Sequence, residues 1–127
     1  MMRILVVDDD EFVRLMLRFT LTDAGYEVQE ASNGREALKA YADHPADVVI
    51  LDILMPEMEG LETIQRLKQS DPDVKIIAVS GGGRPEAVEH LRLAESLGTV
   101  RTFYKPLDNG KLHAALRDLL GDEEQGA

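Results

Sequence analysis

The sequence predicts an α/β domain built on a doubly wound, five-stranded parallel sheet, and three observations lead there. Short apolar runs alternate five times with amphipathic stretches of helical spacing, the pattern of strand, crossover helix and next parallel strand. The run Val48 to Leu51 is wholly apolar and rich in β-branched side chains, as expected of a strand buried on both faces. Asp8, Asp9, Asp52, Ser80 and Lys105 all stand where apolar runs end. A parallel sheet would therefore gather them along one edge, beyond the carboxyl ends of its strands, where open α/β sheets bind ligands.

The chain of 127 residues is long enough for one compact domain with a real core and too short for two ordinary ones. The expected domain covers 1–120, and 121–127 form a short acidic tail too polar to order. No apolar run could cross a bilayer, and Met1-Met2-Arg3-Ile4 leads into a strand rather than a signal peptide, so a cytoplasmic protein without membrane insertion is expected. Cys is absent, which excludes disulfides and thiolate metal sites. With 24 acidic against 14 basic residues the net charge is -10, which repels nucleic acid phosphates and anionic membranes. Direct DNA binding is not expected.

In chain order, Ile4 to Val7 is the first strand and Asp8, Asp9, Asp10 and Glu11 follow it. Helix capping explains one or two of these acids, Asp10 and Glu11 foremost. The next helix, Glu11 to Ala24, carries Phe12, Leu15, Met16 and Phe19 at helical spacing, with Val13, Leu17 and Leu21 widening the apolar face, and Gly25 ends it. Core burial accounts for most of that breadth, and the remainder is a candidate docking face. Glu27 to Ala31 suits an edge strand. Asn33 with Glu36 makes a capping-box-like start to a helix through Ala42 that turns Ala37, Leu38 and Tyr41 inward.

The third strand delivers Asp52 to its carboxyl end, and Pro56 and Gly60 break regular continuation before a helix bearing Leu61, Ile64 and Leu67, stopped by Ser70, Asp71 and Pro72. Val74 to Val79 is a fourth strand ending at Ser80, and Gly81, Gly82 and Gly83 form a permissive, mobile loop. Pro85 opens a helix with Ala87, Val88, Leu91, Ala94 and Leu97 on one face, closed by Gly98. Val100 to Tyr104 is the fifth strand, reaching Lys105 and Pro106. A last helix uses Leu112, Ala115, Leu116 and Leu119. For five strands the common doubly wound order is the flavodoxin-like 2-1-3-4-5, which makes strands one, three, four and five consecutive neighbours.

That order sets the chemistry. Three carboxylates in one crevice repel one another, so their pKa values rise or a cation neutralises them. Oxygen ligands without His or Cys favour a hard ion, and Mg²⁺ keeps waters that a phosphate can replace. With Mg²⁺, the Lys105 ammonium and the Ser80 hydroxyl directed to one point, developing phosphoryl charge is stabilised. Asp52, lying centrally, can serve as a carboxylate nucleophile and form an acyl phosphate, while Asp8 and Asp9 are better placed for metal. Read alone, Asp52 could equally be a helix-capping or turn aspartate.

Val6-Val7-Asp8-Asp9 before a helix, Asp52-Ile53-Leu54-Met55-Pro56-Glu57-Met58-Glu59-Gly60 after a strand, Ser80, and Lys105-Pro106 occur in the order and spacing of a known family. From Arg3 to about Leu120 the chain resembles a two-component response-regulator receiver domain, similar to the single-domain chemotaxis receivers. The resemblance implies a stand-alone signalling module that catalyses only its own phosphorylation and autodephosphorylation. In it Asp52 takes a phosphoryl group from the phosphohistidine of a histidine kinase or histidine phosphotransfer protein, and an effector protein reads the result. It further implies Mg²⁺ bound by Asp9, Asp52 and the backbone carbonyl of Leu54, with Asp8 supporting the metal through water. Ser80 and Lys105 would contact the phosphoryl oxygens, and Lys105-Pro106 would be cis, a geometry open chiefly to bonds before proline. Switching, by the same likeness, is a population shift in the loop after strand four and the helix beside it.

One departure is plain. The family often places Tyr or Phe three residues before the lysine, and this chain has Thr102 there, with Phe103 and Tyr104 at other offsets. Two other classes fit parts of the chain. Asp8-Asp9-Asp10 resembles the nucleophile motif of haloacid-dehalogenase-type phosphatases, but that reading leaves no room for a cap domain and no task for Asp52. A degenerate receiver acting as a phosphorylation-independent adaptor would not need all five site residues. A flavodoxin-like cofactor carrier needs a hydroxyl- and glycine-rich loop where this chain has acids. His44, His90 and His113 show no metal-ligand spacing and read as surface residues. Met55 and Met58 read as loop packing before a soft partner surface.

Overall fold

The structure is a computed structural model and describes residues 1–55, 59–81 and 85–121. Pro56, Met58, Gly82, Gly83 and the tail 122–127, each given a role or an expectation from sequence, lie outside the described residues. Ten elements follow in strict alternation: β1 (Arg3–Val7), α1 (Glu11–Asp23), β2 (Glu27–Ala31), α2 (Gly34–Asp43), β3 (Val48–Asp52), α3 (Glu59–Ser70), β4 (Ile76–Gly81), α4 (Pro85–Ser96), β5 (Arg101–Lys105) and α5 (Asn109–Leu120). The sheet is parallel throughout, in the predicted order β2-β1-β3-β4-β5.

Strand pleating divides the interior into two cores. Leu5, Val7, Val49, Leu51, Ile76 and Ala78 face Ala37, Tyr41, Ile64, Leu67, Leu91 and Ala94 of α2, α3 and α4. Ile4, Val6, Val48, Ile50, Ile77 and Val79 face Leu17 and Leu21 of α1 and Leu112 and Leu116 of α5. All of β3 is buried, as its unbroken apolar run requires.

The caps follow the sequence closely. Asp10 is the N-cap of α1, its carboxylate accepting from the backbone N–H groups of Phe12 and Val13. Asn33 caps α2 by accepting from Glu36 N–H, while the Glu36 carboxylate reaches back one residue further than a capping box, to Ser32. Those bonds hold the Glu36 carboxyl below the usual range.

Several expectations need correction. On α1 the buried residues are Leu17 and Leu21, with Val13 packed beside them; Phe12, Leu15, Met16 and Phe19 are exposed. Two apolar stripes lie about one residue apart around that helix, and the sheet can bury only one. Val88 is likewise exposed, because α4 meets the sheet through Ala87, Leu91 and Ala94. β4 begins at Ile76 rather than Val74, although Val74 is buried, and it runs on through Gly81, which the sequence assigns to the loop; β5 likewise begins at Arg101 rather than Val100. Gly60 does not break the chain before α3 but lies inside its first turn. There a Cβ would fall within contact distance of Ile53 Cα and 2.8 Å from the Asp52 carbonyl oxygen. Gly60 is thus the residue that lets α3 close on the end of β3.

Candidate functional site

The pleat that sorts the cores also aims the site. Asp8 continues the alternation Ile4, Val6; Asp52 continues Val48, Ile50; Lys105 continues Phe103, which packs against the same α1–α5 core. All three therefore leave the sheet on one face. In register, Val7 lies beside Leu51 and Asp52 beside Val79, so Asp8 and Asp52 come level at the carboxyl edge. Lys105 pairs with Gly81, two positions beyond Val79, and its long stem reaches back to both acids. The Lys105 Nζ donates to Asp8 Oδ2 at 2.8 Å and to Asp52 Oδ2 at 3.1 Å.

Each carboxylate has a second anchor. Asp8 Oδ1 accepts from Asp10 N–H at 2.9 Å, and Asp52 Oδ1 accepts from Leu54 N–H at 2.9 Å. Asp8 and Asp52 are buried, whereas Asp9 is exposed. Burial pushes the Asp8 carboxyl up, and its bonds to Lys105 and Asp10 only partly offset that. For Lys105, burial alone would lower the pKa, but the Asp8 bond and the Asp52 charge outweigh it and raise the value above that of a free lysine.

Asp8, Asp9 and Asp52 each bring a carboxylate oxygen within 4.8 Å of the others. One lysine shared between two of three acids leaves the cluster short of positive charge. An oxygen-only donor set with an exposed member suits a hard divalent cation, which would supply charge neutralisation and open coordination positions. These residues fit Mg²⁺.

Ser80 is fully buried at the same edge but continues Ile76 and Ala78, so its side chain belongs to the opposite face from Asp52 and Lys105. Its Oγ has no hydrogen-bond partner among the described residues. Leu54 is half-buried directly after the Asp52 turn. The Lys105-Pro106 bond is cis, as the resemblance implied. Thr102 is half-buried, Phe103 packs into the α1–α5 core and Tyr104 is exposed, so no aromatic occupies the register three before the lysine. Met55 is buried in the core, which is the packing reading; His44 is exposed, and His90 and His113 are half-buried rather than fully on the surface.

Residues 4–117 match the family model of the response regulator receiver domain. The chain belongs to that family. Over 87 residues, 68% of this chain and 72% of the relative, it is 47% identical to the chemotaxis protein CheY of Thermotoga maritima. It is 30% identical over 118 residues to the sporulation initiation phosphotransferase F of Bacillus subtilis, covering 93% of both chains. Among solved structures it resembles the response regulator TrrA of Thermotoga maritima in complex with Mg²⁺ and BeF, with a TM-score of 0.83 and 34% identity over 94% of this chain and 100% of that one. Receiver domains are signalling modules of two-component systems rather than metabolic enzymes, they bind Mg²⁺ at the acidic pocket, and they interact with histidine kinases and effectors. Among the described residues of this receiver domain no helix is long and apolar enough to cross a membrane.

Sequence reasoning missed two contributors. Gly60 reads as a breaker, and only the approach of α3 to Asp52 reveals its contact role. Arg14 carries no signal in the sequence, and only its bond to the Asp8 carbonyl shows that its guanidinium turns toward the acidic loop.

Proposed function

We propose that this receiver domain accepts a phosphoryl group on Asp52 from the phosphohistidine of a histidine kinase or histidine phosphotransfer protein, in a Mg²⁺-dependent reaction, and signals through an effector protein. The observation that carries this is the acidic cluster of Asp8, Asp9 and Asp52 with Lys105 bonded across two of its members. An Asp52 oxygen forms the new P–O bond as the P–N bond of the donor breaks, and the imidazole leaves with that electron pair. Asp9, Asp52 and the Leu54 carbonyl would hold Mg²⁺, and Asp8 would support it. When bound there, the ion would supply charge neutralisation for the phosphoryl oxygens. Lys105, bonded to both Asp8 and Asp52, takes a phosphoryl oxygen by giving up one of those two carboxylate bonds. Ser80 leaves the opposite face of the sheet, so a contact with another phosphoryl oxygen requires the end of β4 to turn; its buried hydroxyl, without a partner among the described residues, gains one by that movement, and a buried polar group left unpaired costs about 1–3 kcal/mol, which favours it.

The donor's approach is supported by the exposed stripe of α1. Phe12 is 67% exposed and Phe19 65%. A groove of about 530 Å³ runs from Phe12, Met16 and Thr20 to Pro106, Lys105 and Gly81. An occupant of that groove reaches the phosphoryl-accepting edge, so the apolar face of a helical phosphodonor domain fits it. Apolar contact of this kind also suits a chain whose net charge of -10 gives little general attraction to acidic partners.

The test is transfer from a phosphorylated histidine phosphotransfer domain, run with Mg²⁺ and with EDTA, against Phe12→Asp and Phe19→Asp. Transfer to the parent in Mg²⁺ alone is expected, with each variant slowed about tenfold or more from the protein donor, in the range typical of a lost interface anchor. Their rates with a small phosphoramidate donor should stay at the parent value. Metal-independent transfer would refute the acceptance mechanism, and equal slowing with both donors would refute the docking face.

A further inference from the structure

Arg14 stands on α1 one turn beyond the Asp10 cap, with its side chain 15% exposed. Its Nη1 donates to the backbone carbonyl of Asp8 at 2.6 Å and its Nε to Glu30 Oε1 at 3.2 Å. Arg18, one turn further along α1, binds the other oxygen of Glu30. A single carboxylate at the β2 edge therefore steadies both arginines and offsets part of their combined charge.

The carbonyl that Arg14 holds belongs to the peptide joining Asp8 to Asp9. Every other polar group of Asp8 is also tied: its N–H donates to Ala31 O of β2 at 3.1 Å, one carboxylate oxygen accepts from Asp10 N–H, and the other from Lys105. Asp9 is exposed, and its carboxylate stands within 4.8 Å of Asp8 and Asp52 despite their common charge. A planar peptide with its carbonyl clamped has one orientation, and that orientation decides where the next Cα places its side chain.

We propose that Arg14 is a positioning residue for the metal site: by fixing the Asp8–Asp9 peptide plane it keeps the Asp9 carboxylate in the cluster, and Glu30 keeps the guanidinium in place. The inference rests on reading Asp8, Asp9 and Asp52 as the Mg²⁺ site. Two effects of removing Arg14 oppose each other. Losing a cation near a divalent ion would tighten Mg²⁺ binding, whereas losing the clamp would weaken it. Arg14 bonds the Asp8 carbonyl rather than any carboxylate of the cluster, and Glu30, shared with Arg18, offsets part of its charge, so the loss of positioning prevails. Outer partners of metal ligands are commonly worth about 10- to 100-fold in metal affinity, and a contact through the backbone belongs at the low end.

The experiment is calorimetric titration of Mg²⁺ into the parent, Arg14→Ala and Arg14→Lys, with unfolding midpoints in EDTA and phosphorylation rates across Mg²⁺ concentration. Arg14→Ala is expected to bind Mg²⁺ about tenfold more weakly. It should need correspondingly more Mg²⁺ for half-maximal phosphorylation, yet reach a rate within about twofold of the parent at saturation, because Arg14 touches neither Asp52 nor Lys105. Arg14→Lys keeps the charge but offers no fork to span carbonyl and carboxylate together. It should fall between the two, about threefold weaker than the parent, and it carries the test if the alanine variant does not fold. A parent that binds Mg²⁺ beside variants that bind it equally or more tightly overturns this proposal alone. A saturating rate that falls in step with the unfolding midpoint does the same. A parent that binds no Mg²⁺ overturns the metal site itself and this proposal with it.

Discussion

Replacing Gly60 by Ala is expected to destabilise the fold by about 3 kcal/mol, near the upper end of typical overpacking costs, and to slow Asp52 phosphorylation as well. Two effects compete. Inside a helix, alanine is favoured over glycine by about 1 kcal/mol, which would stabilise α3. Against that, the added methyl would meet the Ile53 Cα and the Asp52 carbonyl oxygen, 2.8 Å away, and neither can swing aside as a side-chain tip could. The backbone behind the phosphoacceptor must shift, and Ile53 N–H, bonded to Val79 O at 3.0 Å, shifts with it. Denaturant titration reads the first effect and phosphorylation at saturating Mg²⁺ the second. A variant as stable as the parent, with the parent's rate, would show that α3 does not press on Asp52.

Lys105→Ala should cost stability chiefly without metal, and phosphorylation even with it. In metal-free buffer it leaves Asp8 and Asp52 buried together without their shared cation. Breaking one partner out of a buried pair costs about 3–5 kcal/mol, and the partly exposed lysine places this case at the lower bound. Added Mg²⁺ should restore much of that stability, because the ion takes over the neutralising task and no longer competes with the ammonium for the same oxygens. Phosphorylation at saturating Mg²⁺ should still drop by about a hundredfold, the scale of losing one donor to developing charge.

The pH dependence follows from the raised Lys105 pKa. Its stabilisation is fully present below the unfolded value of about 10.4 and is lost as pH rises through the higher folded value. The parent's advantage over the variant should therefore hold from neutral pH upward and shrink in that alkaline window. An advantage that is flat through it would mean that the Lys105 bonds add nothing to stability.

Most of the architecture was legible because strand ends are where chain pattern and chemistry coincide. Val48 to Leu51 read as a strand buried on both sides, and the order β2-β1-β3-β4-β5 expected of five alternating strands brings the strand ends of Asp8, Asp52 and Lys105 to one edge. Periodicity did not reveal which of two adjacent α1 stripes faces the sheet. Val13, Leu17 and Leu21 recur at helical spacing just as Phe12, Met16 and Phe19 do along the other stripe, and the choice rests with a sheet twist and an α5 neighbour that no local window contains. Ser80 presents the same difficulty in strand form. Its position at the edge follows from where β4 ends, but its face depends on pleat parity, which places it with Ile76 and Ala78. Contacts made through backbone, such as Gly60 against Asp52 and Arg14 on the Asp8 carbonyl, leave no mark in side-chain pattern at all.

The most direct measurement of the central claim is the intact mass of the protein after incubation with acetyl phosphate and Mg²⁺, beside Asp52→Asn and an EDTA control. One added phosphoryl group is expected on the parent in Mg²⁺ alone, and none on the variant or in EDTA. An adduct of equal yield on Asp52→Asn, or one that forms without metal, would contradict phosphoryl acceptance by Asp52 at this acidic site.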